Sequence, residues 1–320
     1  MSNHEEKCRI AWVDYFRGLC MFGVLAVHLG VPDYIYRLFS PFFLTGFFFV
    51  SGYLTGTKKK NIKWLCKRIK ALFIPFIFFG LINLLADALF THSDILAGVI
   101  GFLVQIPGSG QDMLWFISCL ILCEILTWII QCLFEENFLA TTIAYIGMCI
   151  LGFTLSSLRI QLPWHIETAM TMGIFVLIGE LYRKNENRIT SILEKRIAII
   201  SFVIYIALYF IFPNMYIDIH LGIYTNIPVF IITAICAIAF LTVICRHMHK
   251  IDGLQFIGKN TLVYYALQIK CFTVLKKLIR FNNTILNWWL VFLASLVILG
   301  IVAWLITRYI PEIMARKRET

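Results

Sequence analysis

Continuous runs of hydrophobic residues follow one another along nearly the whole chain, with only short polar segments between them. Each run is about 20 residues long, enough for a helix to cross a bilayer. Because the runs do not alternate between apolar and polar positions, they favour spanning helices over the strands of a β-barrel.

The pattern predicts an all-α, polytopic integral membrane protein in which residues 1–320 form a single domain. The predicted spans, about ten in number, are 10–31, 38–57, 71–90, 113–134, 138–156, 166–182, 197–213, 226–246, 260–280 and 286–307. A weaker apolar stretch at 95–106 is typical of a short interfacial or re-entrant helix.

Lysine and arginine lie almost entirely on one side of this arrangement. With the N-terminus inside, the cytoplasmic segments contain Lys7, Arg9, Lys58, Lys59, Lys60, Lys63, Lys67, Arg68, Lys70, Arg183, Lys184, Arg188, Lys195, Arg196, Arg246, Lys250, Lys259, Arg308, Arg316, Lys317 and Arg318. The outer segments contain only Arg37, Arg159 and Arg280. Since positive charge collects on the cytoplasmic side of membrane proteins, both termini are predicted to be cytoplasmic. The first residues, MSNHEEKCRI, lead into a span without a small-residue cleavage site, so no signal peptide is expected.

The composition excludes several classes of protein. Hydrophobic residues make up 60% of the chain and charged residues 14%, against about 45–50% and about 25% in soluble domains. The formal net charge of +10 comes from basic residues that flank the spans, so nucleic-acid binding is not expected. The ten cysteines form no CxxC pair and none lies in a predicted outer loop. Neither structural disulfides nor a metal site is therefore expected.

Ionisable residues inside the predicted spans are the candidates for function. Such a side chain at the bilayer centre costs about 2.5–3.5 kcal/mol on insertion scales and usually faces the interior of the helix bundle. The residues of this kind are Asp14, Arg17, His28, Asp87, Glu124, Glu167, Glu180, Lys270, Lys276 and Lys277.

The first span carries three of them on one face. At about 100° per residue, Arg17 and His28 lie about 20° apart around the helix, and Asp14 lies about 40° from His28. Asp14 and Arg17 are i,i+3 neighbours and can neutralise each other. The rise from Arg17 to His28 is about 16 Å, which places a cation near the cytoplasmic entrance and an imidazole deeper in the membrane. A snorkelling arginine and a packed histidine are the alternatives, and the shared face favours function.

Two following segments supply further polar candidates at the predicted cytoplasmic side. In FFFVSGYL, Ser51 and Gly52 lie in the inner half of the second span, where small residues allow helices to approach closely. The basic run KKKNIKWLCKRIK, which includes Lys67, Arg68 and Lys70, indicates either lipid headgroup contacts or a rim that collects a polyanion.

A second group of candidates is expected towards the outer side. Trp115 is predicted at the membrane interface, and Glu124 in mid-span needs a polar partner. The segment RIQLPWHIET carries His165 at the outer surface. These residues suit a hydrated ligand, while a solvated loop and a structural Glu124 are the alternatives.

In order and spacing, these elements resemble the acyltransferase-3 family of membrane acetyltransferases. The resemblance rests on the D-x-x-R-G sequence that begins at Asp14, on ten residues between Arg17 and His28, and on FFFVSGYL, KRIKALFIP, LWF, IFVLIGELYRK and FIGKNTLVYYALQ. It spans nearly the whole chain, and the most similar branch is the polysaccharide O-acetylases, the fucose 4-O-acetylase-like group. One departure is Gln268, where family members often have histidine.

The resemblance implies transfer of an acetyl group from cytoplasmic acetyl-CoA to a sugar hydroxyl of a cell-envelope or exported polysaccharide, in the plasma membrane of a bacterium. In this role His28 would be the base, Arg17 would orient the donor and Asp14 would orient Arg17. The expected donor-binding residues are Arg17, Ser51, Lys67, Arg68 and Lys70. The acceptor-side candidates are Trp115, Glu124 and His165.

Acetyl-CoA is then a co-substrate, and no permanently bound cofactor or metal is expected. The other expected partners are a glycan or lipid-linked saccharide acceptor and membrane lipids, and the sequence leaves homo-oligomer formation open. Direct transfer and an acetyl-histidine relay at His28 are both compatible with the residues.

Two other functions compete with this hypothesis. A proton-coupled transporter or exporter of a lipid-linked sugar would use Asp14, Arg17, His28 and Glu124 as a proton relay. The chain shows neither an internal repeat nor paired Gly- or Pro-broken spans, which many transporters have. A non-catalytic scaffold in envelope synthesis is the third candidate.

Overall fold

The structure is a computed structural model that describes residues 10–56, 60–90, 94–109, 112–134, 137–189 and 191–314. Its helices are α1 (Ala11–Leu29), α2 (Asp33–Phe39), α3 (Thr45–Thr55), α4 (Ile62–Phe90), α5 (Ile95–Val104), α6 (Trp115–Leu133), α7 (Phe138–Ser157), α8 (Ile166–Asn185), α9 (Ser191–Ile211), α10 (Ile227–His247), α11 (Asp252–Lys259), α12 (Thr261–Leu278) and α13 (Thr284–Tyr309). One antiparallel hairpin, β1 (Ile217–Asp218) and β2 (Ile223–Tyr224), lies between α9 and α10. Of the residues used to predict orientation, Lys7, Arg9, Lys58, Lys59, Arg316, Lys317 and Arg318 lie outside these ranges.

Six helices of the described chain are long and apolar enough to cross a membrane, namely α1, α4, α6, α7, α10 and α13. The expected all-α, multi-pass membrane architecture is therefore confirmed. The other predicted spans correspond to α3, which has 11 residues, and to α8, α9 and α12, which carry more ionisable residues. The count of ten spans and the cytoplasmic location of the termini stay predictions.

Several helix boundaries differ from the predicted ones for local reasons. The predicted span 38–57 is divided into α2, a turn at Ser40–Leu44 and α3, because Pro41 in the turn has no N–H to donate. Helix α4 begins at Ile62 instead of near residue 71, so Lys63, Lys67, Arg68 and Lys70 of the basic run lie on the helix itself. The weak stretch at 95–106 forms α5, whose N-terminus is capped by the Asp94 carboxylate.

Helix α1 lies at the centre of the bundle and is the most buried of the candidate spans. It packs against α3, α10, α11, α12 and α13. At its first turns, a Cβ added to Gly258 of α11 would lie 1.7 Å from the carbonyl oxygen of Asp14. At its C-terminus, Lys276 Nζ donates to Leu29 O (3.2 Å) and Trp288 Nε1 donates to Gly30 O (2.5 Å). The two ends of α1, and the polar residues on them, are thus fixed by α11, α12 and α13.

Helices α3 and α8 cross with their backbones in direct contact. A Cβ added to Gly52 would lie 2.0 Å from Val176 O, and a Cβ added to Gly179 would lie 2.1 Å from Phe49 O. Each glycine therefore makes room for the other helix, as small residues do at close crossings in membranes. The glycines of the SGY and IGE sequences position α3, and with it the Ser51 side chain.

We expect Gly52→Ala and Gly179→Ala each to destabilise the protein, because the added methyl group must push two helix backbones apart. Overpacking of this kind costs about 1–3 kcal/mol, and more where backbone is struck. The matched control is Gly147→Ala in α7, where no atom beyond the adjoining residues and backbone of its own helix lies within 4 Å of the added Cβ. Thermal unfolding of the detergent-purified variants measures the effect, and equal midpoints for Gly52→Ala and Gly147→Ala would contradict it.

Candidate active site

His28 lies in the last turn of α1, and its side chain is exposed although the helix around it is buried. Its Nδ1 is 2.8 Å from Val24 O. Since a carbonyl oxygen can only accept, Nδ1 carries the proton and the neutral ring keeps its lone pair on Nε2. The ring is therefore held in one orientation, with the atom that can take a proton turned away from the helix.

The hairpin brings two polar residues to His28. Asp218 and His220 both lie within electrostatic range of the imidazole. The ring of His220 in turn packs at 5.0 Å from Trp115 and at 5.1 Å from His165. Trp115 and His165 are themselves 4.9 Å apart. The structure thus brings together these two acceptor-side candidates and connects them to His28 through His220.

Two consecutive residues before α8 adopt a left-handed backbone conformation, with φ of 59° at Trp164 and 56° at His165. Non-glycine residues rarely adopt this region, and such strain persists only where the surroundings impose it. The Trp164 indole donates to Leu103 O (2.7 Å), which ties the turn to α5. His165 is completely buried, and its Nδ1 is 3.9 Å from the Glu167 carboxylate. The turn therefore holds the His165 ring firmly against Trp115.

Asp14 and Arg17 lie at the opposite end of α1 from His28. Asp14 is buried under α11, and Arg17 is half-buried. The helical rise of about 16 Å between Arg17 and His28 follows from their spacing on a continuous helix. The structure therefore places the predicted donor-orienting group in the N-terminal half and the predicted base in the last turn of one continuous helix.

Ser51 and Glu124, both buried, and the partly buried Arg68 form a cluster between α3, α4 and α6. Arg68 donates from Nε to Glu124 Oε1 (3.0 Å) and from Nη2 to Ser51 Oγ (2.8 Å). The Ser51 hydroxyl also donates to Glu124. Glu124, expected on the acceptor side, thus lies with two residues of the expected donor side. The reason is its position nine residues after Trp115 on α6, a rise of about 13 Å.

The remaining basic residues of α4 face outward. Lys67 and Lys70 are exposed. Lys60, just before α4, pairs with the buried Glu180, which also accepts from Gln131 Nε2 at 2.7 Å. The run of positive charge is thus partly neutralised by acidic side chains inside the bundle and partly presented at the surface.

Other ionisable and polar residues of the spans serve packing between helices. Lys270 of α12 pairs with Asp87 of α4. The Tyr265 hydroxyl accepts from Phe116 N (3.1 Å) at the start of α6, where a helix has unbonded N–H groups. Gln268 is buried, and its Oε1 accepts no hydrogen bond from the residues that the structure describes. Within the same residues, no group of three or more His, Cys, Asp or Glu side chains is placed to hold a metal ion.

A sequence signal for the hairpin exists in IDIHLGIY, where Ile217 and Ile219 alternate with Asp218 and His220 and a glycine follows. Such alternation is typical of a strand with one buried face. Both isoleucines are indeed buried. Asp218 and His220 lie in the loop between the predicted spans 197–213 and 226–246, so they are not among the ionisable residues within spans.

Comparison with known proteins identifies one family model. The acyltransferase-3 model, described as an acyltransferase domain, matches residues 10–308. No curated protein and no solved structure matches the chain. The matched residues include both ends of α1, the Ser51–Arg68–Glu124 cluster and the hairpin.

Proposed function

This chain belongs to the acyltransferase-3 family, and on that premise we propose that it transfers an acetyl group from acetyl-CoA to a sugar hydroxyl of a cell-envelope or exported polysaccharide. Family membership indicates a membrane acyltransferase. The acetyl donor, the saccharide acceptor, the polysaccharide O-acetylase branch and the plasma membrane of a bacterium belong to the proposal. An acceptor that is a free glycan and one that is lipid-linked both fit it.

The observation that carries the proposal is the exposed His28 ring with its Nδ1 bonded to Val24 O and its Nε2 available. In the reaction, Nε2 takes the proton of the acceptor hydroxyl while the oxygen attacks the thioester carbonyl. The new C–O bond forms, the C–S bond breaks, and the proton passes to the leaving thiolate. In the relay variant the same Nε2 first takes the acetyl group as the C–S bond breaks and the CoA thiolate leaves. The acceptor oxygen then takes the acetyl group, which frees Nε2, and the hydroxyl proton passes to the thiolate.

The donor side is proposed at the other end of α1. Acetyl-CoA is a polyanion, and phosphates prefer arginine and lysine partners. Arg17 is half-buried, and Lys67 and Lys70 are exposed on α4. A donor with its phosphates near Arg17 and its thioester near His28 would extend over about 16 Å along the helix. Arg68 would bind a phosphate of the donor only by giving up its hydrogen bonds to Glu124 and Ser51.

Acetyl-CoA is expected to stabilise the detergent-purified protein in a saturable manner, by RT ln(1 + [L]/Kd). Arg17→Ala should weaken this thermal shift, because a charge-assisted contact to a phosphate is lost. The matched control is Arg280→Ala, which removes an exposed guanidinium just beyond α12. No shift at millimolar acetyl-CoA would contradict the proposal. Proton-coupled uptake by proteoliposomes would then favour the transporter.

A further inference from the structure

The hairpin is fixed firmly among the helices at the His28 end. Ile217 and Ile219 are 2% and 3% exposed. The Tyr36 hydroxyl of α2 donates to Ile217 O (2.6 Å), and Thr168 Oγ1 of α8 donates to Ile219 O (3.4 Å). Two helices thus hold the backbone of a turn that would otherwise connect α9 and α10 loosely, so the side chains on its other face have defined positions.

Two of those side chains, Asp218 and His220, lie near the proposed base. His220 packs on Trp115 and His165, and both His220 and Asp218 lie within electrostatic range of His28. The Asp218 carboxylate accepts from Leu221 N (3.0 Å) and lies 3.4 Å from the Tyr216 hydroxyl. A carboxylate offers about four acceptor positions, so Asp218 keeps capacity for further hydroxyl donors.

An aromatic surface lies beside this carboxylate. The rings of Tyr36 and Tyr216 stack at 5.7 Å with an interplanar angle of 18°. Tyr216 is 44% exposed, and Tyr34 of α2 is 59% exposed. Tyrosine combines a flat apolar face with a polar hydroxyl. Sugars combine apolar C–H faces with hydroxyl donors, so an aromatic face next to an acceptor carboxylate matches their chemistry.

We propose that the Ile217–Tyr224 hairpin is the acceptor-recognition element and that Asp218 binds hydroxyls of a neutral hexose next to His28. This inference rests on the proposed acyl transfer at His28. The negative charge at Asp218 also discriminates among acceptors, because it repels a sugar that carries its own carboxylate. Neutral hexosides are therefore accepted in preference to hexuronosides.

The test uses Asp218→Asn in the full chain, with labelled acetyl-CoA and a panel of methyl hexosides and methyl hexuronosides. The variant should raise the KM for neutral hexosides about tenfold, because a hydrogen bond to a charged group becomes one to a neutral amide. It should also lower the preference for neutral hexosides over hexuronosides by about tenfold. The second effect is a change in specificity, which a loss of structural support alone would not produce.

Asp33→Asn is the matched control, since Asp33 is an exposed carboxylate on α2 outside the hairpin. An unchanged preference in Asp218→Asn, or wild-type protein that acetylates no neutral hexoside, would overturn the inference. The acetyl-CoA thermal shift distinguishes failure of this inference from failure of the proposed function. A saturable shift that Arg17→Ala weakens supports the donor site and with it the proposed function. The absence of any acetyl-CoA shift refutes both the proposed function and this inference.

Discussion

His28→Ala is expected to lower the rate of acetyl transfer by about 10²–10⁴-fold, the usual contribution of a positioned general base. Acetyl-CoA binding should persist, because the proposed phosphate contacts lie at the other end of α1. The measurement is kcat with labelled acetyl-CoA, together with the thermal midpoint of the variant. Wild-type turnover by a correctly folded His28→Ala protein would refute both direct transfer and the relay.

The chain contains a closely matched control for this substitution. His247, in the last turn of α10, is exposed, and its Nδ1 lies 3.0 Å from Val243 O. Its backbone contact therefore repeats that of His28. His247→Ala should leave transfer unchanged, so a difference between the two variants isolates the surroundings of His28. Incubation with labelled acetyl-CoA and no acceptor separates the two mechanisms, since only the relay leaves label on the protein.

Helical periodicity was enough to predict the common face of Asp14, Arg17 and His28, because their relation depends only on the geometry of one helix. The structure keeps all three on the single continuous helix α1. Helical periodicity could not predict that Glu124 pairs with Arg68, because that contact depends on how α3, α4 and α6 pack. Glu124 was expected near Trp115 because both residues lie on one predicted span.

The hairpin shows a different reason for an incomplete prediction. Its strands contain two residues each, far below the length at which alternation becomes distinct from chance in an apolar chain. Its functional interest comes from tertiary contacts of His220 with Trp115 and His165. These ring contacts join the hairpin, the start of α6 and the turn before α8, which are distant in sequence. Only the packed structure shows that the three segments meet near His28.

Glu124→Ala is expected to be the most destabilising of the substitutions considered, by about 3–5 kcal/mol. Glu124 is 3% exposed, and the Arg68 side chain is only 24% exposed. Removing the carboxylate leaves the guanidinium in the bundle without its counter-charge, and Ser51 loses an acceptor. Thermal unfolding in detergent measures the loss, with Glu124→Gln expected to lose less because its amide oxygen still accepts hydrogen bonds.

The double variant Arg68→Met/Glu124→Leu decides what this cluster is for. Because replacing a whole buried ion pair by apolar groups is often neutral or stabilising, it should unfold at a higher temperature than Glu124→Ala. Acetyl-CoA then separates two roles. If Arg68 exchanges Glu124 for a donor phosphate, the stable double variant loses part of the acetyl-CoA shift. A full shift would make the cluster a purely structural connection of α3, α4 and α6 and would leave donor binding to Arg17, Lys67 and Lys70.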